Sequence, residues 1–160
     1  MTNQKLPNFD LLEFYQNIKK KESPTFVSQI RDLTRIEIGD GISLIIAVDS
    51  DGGIGPLDGD VVRCSAYQLG RFAMRVPLLE LLACGATPLA AFDMLTVPMK
   101  PHGSEIVRGV RDELNGAGLR NDFPLSGSTE DNVPTNMTGI GTTIIGIVHE
   151  TDLRPGTSRS

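Results

Sequence analysis

The sequence has no tryptophan, two cysteines and two histidines, and only 5% of its 160 residues are aromatic. Cys64 and Cys84 stand twenty positions apart near the two ends of one predicted helix. That is a separation of about 30 Å at helical rise, against the roughly 7 Å limit for a disulfide. Both are read as reduced thiols. His102 and His149 share no ligand spacing, which argues against a zinc site or a histidine-based triad. No apolar run approaches the roughly 20 residues of a membrane span. The N-terminus Met1-Thr2-Asn3-Gln4-Lys5-Leu6-Pro7 has no signal-peptide core, so the cytoplasm is the expected compartment. With 15 Lys+Arg against 20 Asp+Glu, a formal net charge of −5, the chain has no basic excess for nucleic acid. Neither GxxxxGK[ST] nor GxGxxG occurs, which excludes a Walker loop and a Rossmann fingerprint.

What the sequence does have is 17 Gly, 10 Pro and enough length for one domain. Leu11, Phe14, Tyr15 and Ile18 fall at helical spacing over residues 9–21, and Lys19-Lys20-Lys21 suits a helix C-terminus. Glu22-Ser23-Pro24-Thr25 breaks the pattern, so residues 1–25 read as a helical arm and 26–160 as the main domain. Residues 42–48 are β-branched and nearly continuous in apolarity, a buried strand with carboxylate-rich loops at both ends. The spacing then predicts a helix over 65–84 kinked or broken at Pro77 and stopped by Gly85. A strand over 89–97, a helix over 104–114 carrying Ile106, Val110 and Leu114 on one face, and a strand over 142–148 complete an α/β order.

The densest polar cluster runs from Gly39-Asp40-Gly41 to Asp49-Ser50-Asp51-Gly52-Gly53-Ile54-Gly55, with Asp58 and Asp60 beyond. Carboxylates beside glycines suit a hard cation such as Mg²⁺. The alternative is that Asp and Gly simply make turns. An EF-hand counted from Asp49 fails, because Ile54 stands where its glycine belongs and Asp60 where its glutamate belongs. Gly127-Ser128-Thr129-Glu130-Asp131-Asn132 is a second polar cluster and reads by itself as a turn.

The order Asp40, strand, Asp49-Ser50-Asp51-Gly52-Gly53, a helix ending in Ala83-Cys84-Gly85-Ala86-Thr87-Pro88, then Ser126-Gly127-Ser128-Thr129 before a glycine-rich strand, resembles a known arrangement. It is that of the N-terminal domain of the aminoimidazole ribonucleotide (AIR) synthase superfamily, which also holds thiamine-monophosphate kinase, selenophosphate synthetase and a hydrogenase maturation protein. The resemblance covers about residues 30–150, and its most specific stretch is Gly85 to Asp93, similar to the GAxPLxxxD segment of AIR synthase. Arg31-Asp32-Leu33-Thr34, Asp49 to Gly55 and Ser128 to Pro134 look most like the α-ribazole kinase branch of cobalamin salvage.

The resemblance implies an α/β (α+β) fold, a mixed sheet with helices on one face, and sheets pairing into a closed barrel in a homodimer. It implies ATP and Mg²⁺ as cofactors and a small-molecule phosphate acceptor as substrate. Carried over by position, it makes Asp49, Asp51, Gly52, Gly53, Gly127, Ser128 and Thr129 nucleotide-binding, and Asp40, Asp49, Asp51, Glu80 and Glu130 metal-binding. Ser128 stands where relatives carry an acidic residue, leaving Glu130 or Asp131 as substitutes, and Pro56 stands where AIR synthase has a lysine. Relatives carry a C-terminal domain, whereas this sequence stops at Ser160, so a further domain or partner subunit is expected to complete an active enzyme. A non-catalytic dimerisation or regulatory module is the alternative. Replacement of Ile45 by Asp is the expected probe of dimerisation; the alternative is that Ile45 faces the helices, in which case the variant loses the fold.

Overall fold

The computed structural model describes residues 26–154 together with Tyr15, Gln16, Lys19 and Gly156. The arm predicted over 1–25 lies outside the described residues apart from those three positions. The main sheet has six strands: β1 (Val27–Ile30), β2 (Leu33–Gly39), β3 (Ile42–Gly52), β6 (Thr87–Leu95), β7 (Leu125–Thr129) and β8 (Gly139–His149). Their order is β1-β2-β3-β8-β6-β7, while β4 (Ile54–Gly55) and β5 (Val62–Arg63) form a separate parallel pair. Only β6 and β7 run parallel within the main sheet. The carboxyl ends of β3, β6 and β7 therefore lie on one rim with the start of β8.

Two helices, α1 (Ala66–Ala83) and α2 (Ser104–Gly116), cover one face. The alternation of the strands shows which. Ser43, Ile45 and Ala47 of β3 are buried together with Ile140, Thr142, Ile144 and Val148 of β8. The intervening Leu44, Ile46, Ile145 and Ile147 are half-buried on the open face, where Val48 is 61% exposed. Ile45 is thus a core residue beneath the helices, with 0% exposure. As a dimer probe it is corrected, since an aspartate there would cost the fold.

Ser65 caps α1 by accepting from the Gln68 amide at 3.2 Å, and the Gln68 side chain returns to the Ser65 amide, a capping box. At the other end Gly85 takes φ 89°, and its amide and that of Ala86 close onto Leu82 and Leu81. The helices approach so closely that a Cβ at Gly70 would collide with the Ile106 carbonyl, and one at Gly109 with that of Tyr67. Arg71 and Arg75 of α1 both pair with Glu113 of α2.

Pro77 does not break α1, which is continuous and buries the ring. A proline at this position leaves the carbonyl four residues earlier, that of Ala73, without its helical donor. Thr142 Oγ1 donates to that carbonyl at 2.8 Å from β8. A side chain from the sheet therefore replaces the missing helical bond. The strands β1 and β2 were not anticipated, and the second polar cluster, read as a turn, begins inside edge strand β7.

Candidate functional site: a rim at the carboxyl ends of three strands

Strand register lines up Asp49, Thr142, Asp93 and Gly127 in one row across β3, β8, β6 and β7. All four face the helix layer, and three strand spacings separate Asp49 from Gly127, about 14 Å. Asp49 and Asp51 sit on the same side of β3, two residues apart. Asp49 accepts from the Ser50 amide at 2.8 Å. Burial, and then the Asp49 charge, push the Asp51 pKa above the usual carboxylate value. Gly52 ends β3, and the Gly53 amide donates to the Thr138 carbonyl at 2.9 Å. The loop beyond folds back so that Asp60 accepts from the amide and hydroxyl of Thr138 and from the Leu57 amide, at 2.6, 2.7 and 2.8 Å.

Glu80 projects from α1 toward this side. Burial, then the charge of Asp32 and a hydrogen bond shared with it, then the Asp49 charge, push its pKa up against the influence of Arg31. Asp32, in the turn between β1 and β2, is a carboxylate the sequence reading did not assign. Its only signal was a place in the Arg31-Asp32-Leu33-Thr34 phrase.

Asp40 lies apart from the group. It occupies the β2–β3 hairpin with φ 50°, followed by Gly41 at φ 71°, and two successive positive values are what an Asp-Gly turn of the I′ kind supplies. The seven-residue rise of extended chain from Ile42 to Asp49 sets it more than about 20 Å from Asp49, at the opposite end of β3. Its pairing with glycine is turn chemistry.

Gly127, Ser128 and Thr129 form the end of β7 and line a cavity of about 200 Å³ with Asp93, Met99, Val107, Arg111, Leu125 and Ser126. Glu130 leaves the strand with its amide on the Leu95 carbonyl. Its carboxylate accepts from the Asn132 and Val133 amides at 2.6 and 3.2 Å, bonds that hold its pKa down. Glu130 thus closes its own loop. Asp131 stays exposed, with Thr129 Oγ1 3.4 Å from its carboxylate.

Among the described residues no three His, Cys, Asp or Glu side chains converge on one metal position. Magnesium is commonly held by one or two carboxylates, with phosphate oxygens and water completing the shell. Asp49 and Asp51, adjacent on one side of β3 and mutually repelling, fit that donor set. No helix of the described residues is long and apolar enough to cross a membrane.

The fold and rim define an α+β domain with helices on one face of a mixed sheet and its polar residues at the carboxyl ends of the strands. The chain belongs to the family described as AIR synthase related protein, N-terminal domain, which matches residues 32–148. No curated protein matches the sequence.

Among solved structures, the chain is similar to AaThiL complexed with AMPPCP and TMP, at 17% identity and TM-score 0.56, covering 93% of this chain and 45% of that one. It is similar to thiamine monophosphate kinase from Aquifex aeolicus, at 16% identity and TM-score 0.52, with 92% and 44% covered. T. maritima PurL complexed with ATP matches at 15% identity and TM-score 0.52, with 96% and 27% covered. The chain thus spans less than half the length of these structures, and at such identities the likeness concerns the fold.

Proposed function

We propose that the chain is the Mg-ATP-binding domain of an ATP-dependent small-molecule phosphotransferase. The observation that carries this reading is the rim, where Asp49 and Asp51 at the end of β3 lie on the same edge of the sheet as Gly127, Ser128 and Thr129 at the end of β7. Phosphoryl transfer requires positioning and charge neutralisation more than covalent catalysis. Asp49 and Asp51 would hold Mg²⁺, which supplies neutralisation of phosphate charge, and the β7 end supplies backbone and hydroxyl donors. The structures complexed with AMPPCP and with ATP support the nucleotide assignment. α-Ribazole is the first acceptor to test, on the sequence phrases it shares with that branch.

Calorimetry with Mg-ATP on the wild type and Asp49→Asn tests the reading. The variant keeps the fold, because a rim carboxylate contributes little to the core, and it loses metal-dependent binding. Equal affinities would refute the role of Asp49.

The open sheet face supports a homodimer in which two sheets pair, since an exposed apolar sheet surface favours association. Sedimentation at micromolar concentration gives a dimer for the wild type and a monomer for Val48→Asp, which alters the open face without entering the core. A monomeric wild type removes this part of the reading.

Completion of the acceptor site is assigned to a further domain or subunit. Turnover by this chain alone is therefore expected far below the roughly 1–100 s⁻¹ of kinases, and transfer to α-ribazole at that rate would contradict the assignment. A second reading, a module that binds and dimerises without turnover, is favoured by the Glu130 carboxylate being committed to its own loop and by Ser128 at the strand end.

A further inference from the structure

The cavity between α2 and the β6–β7 edge has two kinds of wall. Met99, Val107 and Leu125 form apolar sides, while Asp93 and Arg111 present a carboxylate and a guanidinium. Asp93 is 4% exposed, yet among the described residues nothing donates a hydrogen bond to its carboxylate and no cation pairs with it within ion-pair distance. Arg111 is near enough for its charge to be felt, but its guanidinium donates to the Phe123 carbonyl instead. Gly127 makes the arrangement possible, because a Cβ there would collide with the Asp93 carbonyl and Oδ1. Burying a carboxylate without donors is costly, and buried polar groups are otherwise nearly always satisfied.

We propose that this cavity seats a flat, base-sized nitrogen heterocycle, with an N–H donor on the Asp93 carboxylate, a ring acceptor toward Arg111 and its faces against the apolar walls. Size agrees, since an apolar cavity of about 150 Å³ takes benzene and this one measures about 200 Å³. The pairing agrees as well. An acceptor and a donor side chain that share a cavity without meeting each other match a ligand edge with donor beside acceptor, as on adenine or an aminopyrimidine. The ring can come from the nucleotide or from the phosphate acceptor, and only that choice rests on the function proposed above.

The test is a ¹H–¹⁵N NMR titration of the full chain with adenine and, separately, 4-aminopyrimidine. Neither carries a phosphate, so the rim carboxylates are not involved and failure of Mg-ATP binding is a separate result. Millimolar binding is expected for so small a ligand, with shifts at residues 93, 107, 111 and 125–129. Affinity falls at least tenfold in Asp93→Asn, in Val107→Phe, which fills the cavity, and for N6,N6,9-trimethyladenine, which has no N–H donor. Asp93 makes no structural hydrogen bond, so at pH 7 Asp93→Asn melts no lower than the wild type and its loss of binding is not loss of fold. Displacement of adenine by Mg-ATP assigns the ring to the nucleotide, and simultaneous binding assigns it to the acceptor. The proposal is overturned if neither ligand shifts the cavity residues at its solubility limit, or if binding survives either variant unchanged.

Discussion

Asp60 and Asp93 are buried to nearly the same degree, 7% and 4% exposed, and the chain treats them in opposite ways. Asp60 lies where the loop after β4 meets the start of β8 and accepts three hydrogen bonds from Thr138 and Leu57. Burial by itself raises its pKa, but those bonds, with Arg63 nearby, bring it below the ordinary 3.8. Asp93 has the burial without the bonds, and its pKa is pushed up to about 6 against the pull of Arg111. The same side chain is therefore a clasp in one region and an unspent acceptor in the other. Donors determine which role a buried carboxylate takes, and residue type does not.

The largest effect expected from this contrast is at Asp60. Asp60→Ala strands the Thr138 amide and hydroxyl and the Leu57 amide, and should cost about 3 kcal/mol by urea denaturation. A loss under about 1 kcal/mol would remove the distinction between the two aspartates.

The uncapped carbonyl at Pro77 sharpens the same rule with a neutral group. Thr142→Val leaves the Ala73 carbonyl without a donor and should cost about 1–2 kcal/mol. In a Pro77→Ala background the helix supplies its own N–H, and the penalty for Thr142→Val should shrink by half or more. A double-mutant cycle measures this, and additive penalties would show that Thr142 does not stand in for the missing helical bond.

The smallest change is at Asp93, where Asp93→Asn should leave stability at pH 7 unchanged or raised by about 1 kcal/mol. The pH dependence separates the pair more cleanly. Because the folded pKa of Asp60 is below 3.8, its contribution is present above that pH and is lost as pH falls through the lowered folded value. Asp93 has its folded pKa raised to about 6, so its contribution is full below 3.8 and is lost as pH rises through about 6. Melting curves from pH 4 to 7 should thus show Asp93→Asn gaining on the wild type as pH rises, and parallel curves would contradict the assignment.

Much of the fold was legible because it follows period. Ile106, Val110 and Leu114 do line the buried face of α2, and Gly85 and residues 142–148 fall where stop and strand were expected. Strands β1 and β2 escaped notice because Ser28, Gln29, Arg35 and Glu37 interrupt their apolar positions on an exposed sheet edge. β7 escaped because Ser126, Gly127 and Ser128 carry turn composition while the β6 ladder holds them extended. Pro77 misled because its remedy, Thr142, is 65 residues away in sequence. Site residues were legible as composition but not as geometry. Asp40 and Asp49 look alike in sequence, and only the length of β3 separates them. Asp32 and Arg111 reach their partners through tertiary contact alone.

The most direct test of the account is amide hydrogen exchange of the full chain with and without Mg-ATP. Nucleotide bound along the rim protects residues 49–55, 127–133 and 139–142 and leaves the 39–42 hairpin at the far end of β3 unchanged. Protection centred on the hairpin, or no change at the rim under saturating Mg-ATP, would contradict it.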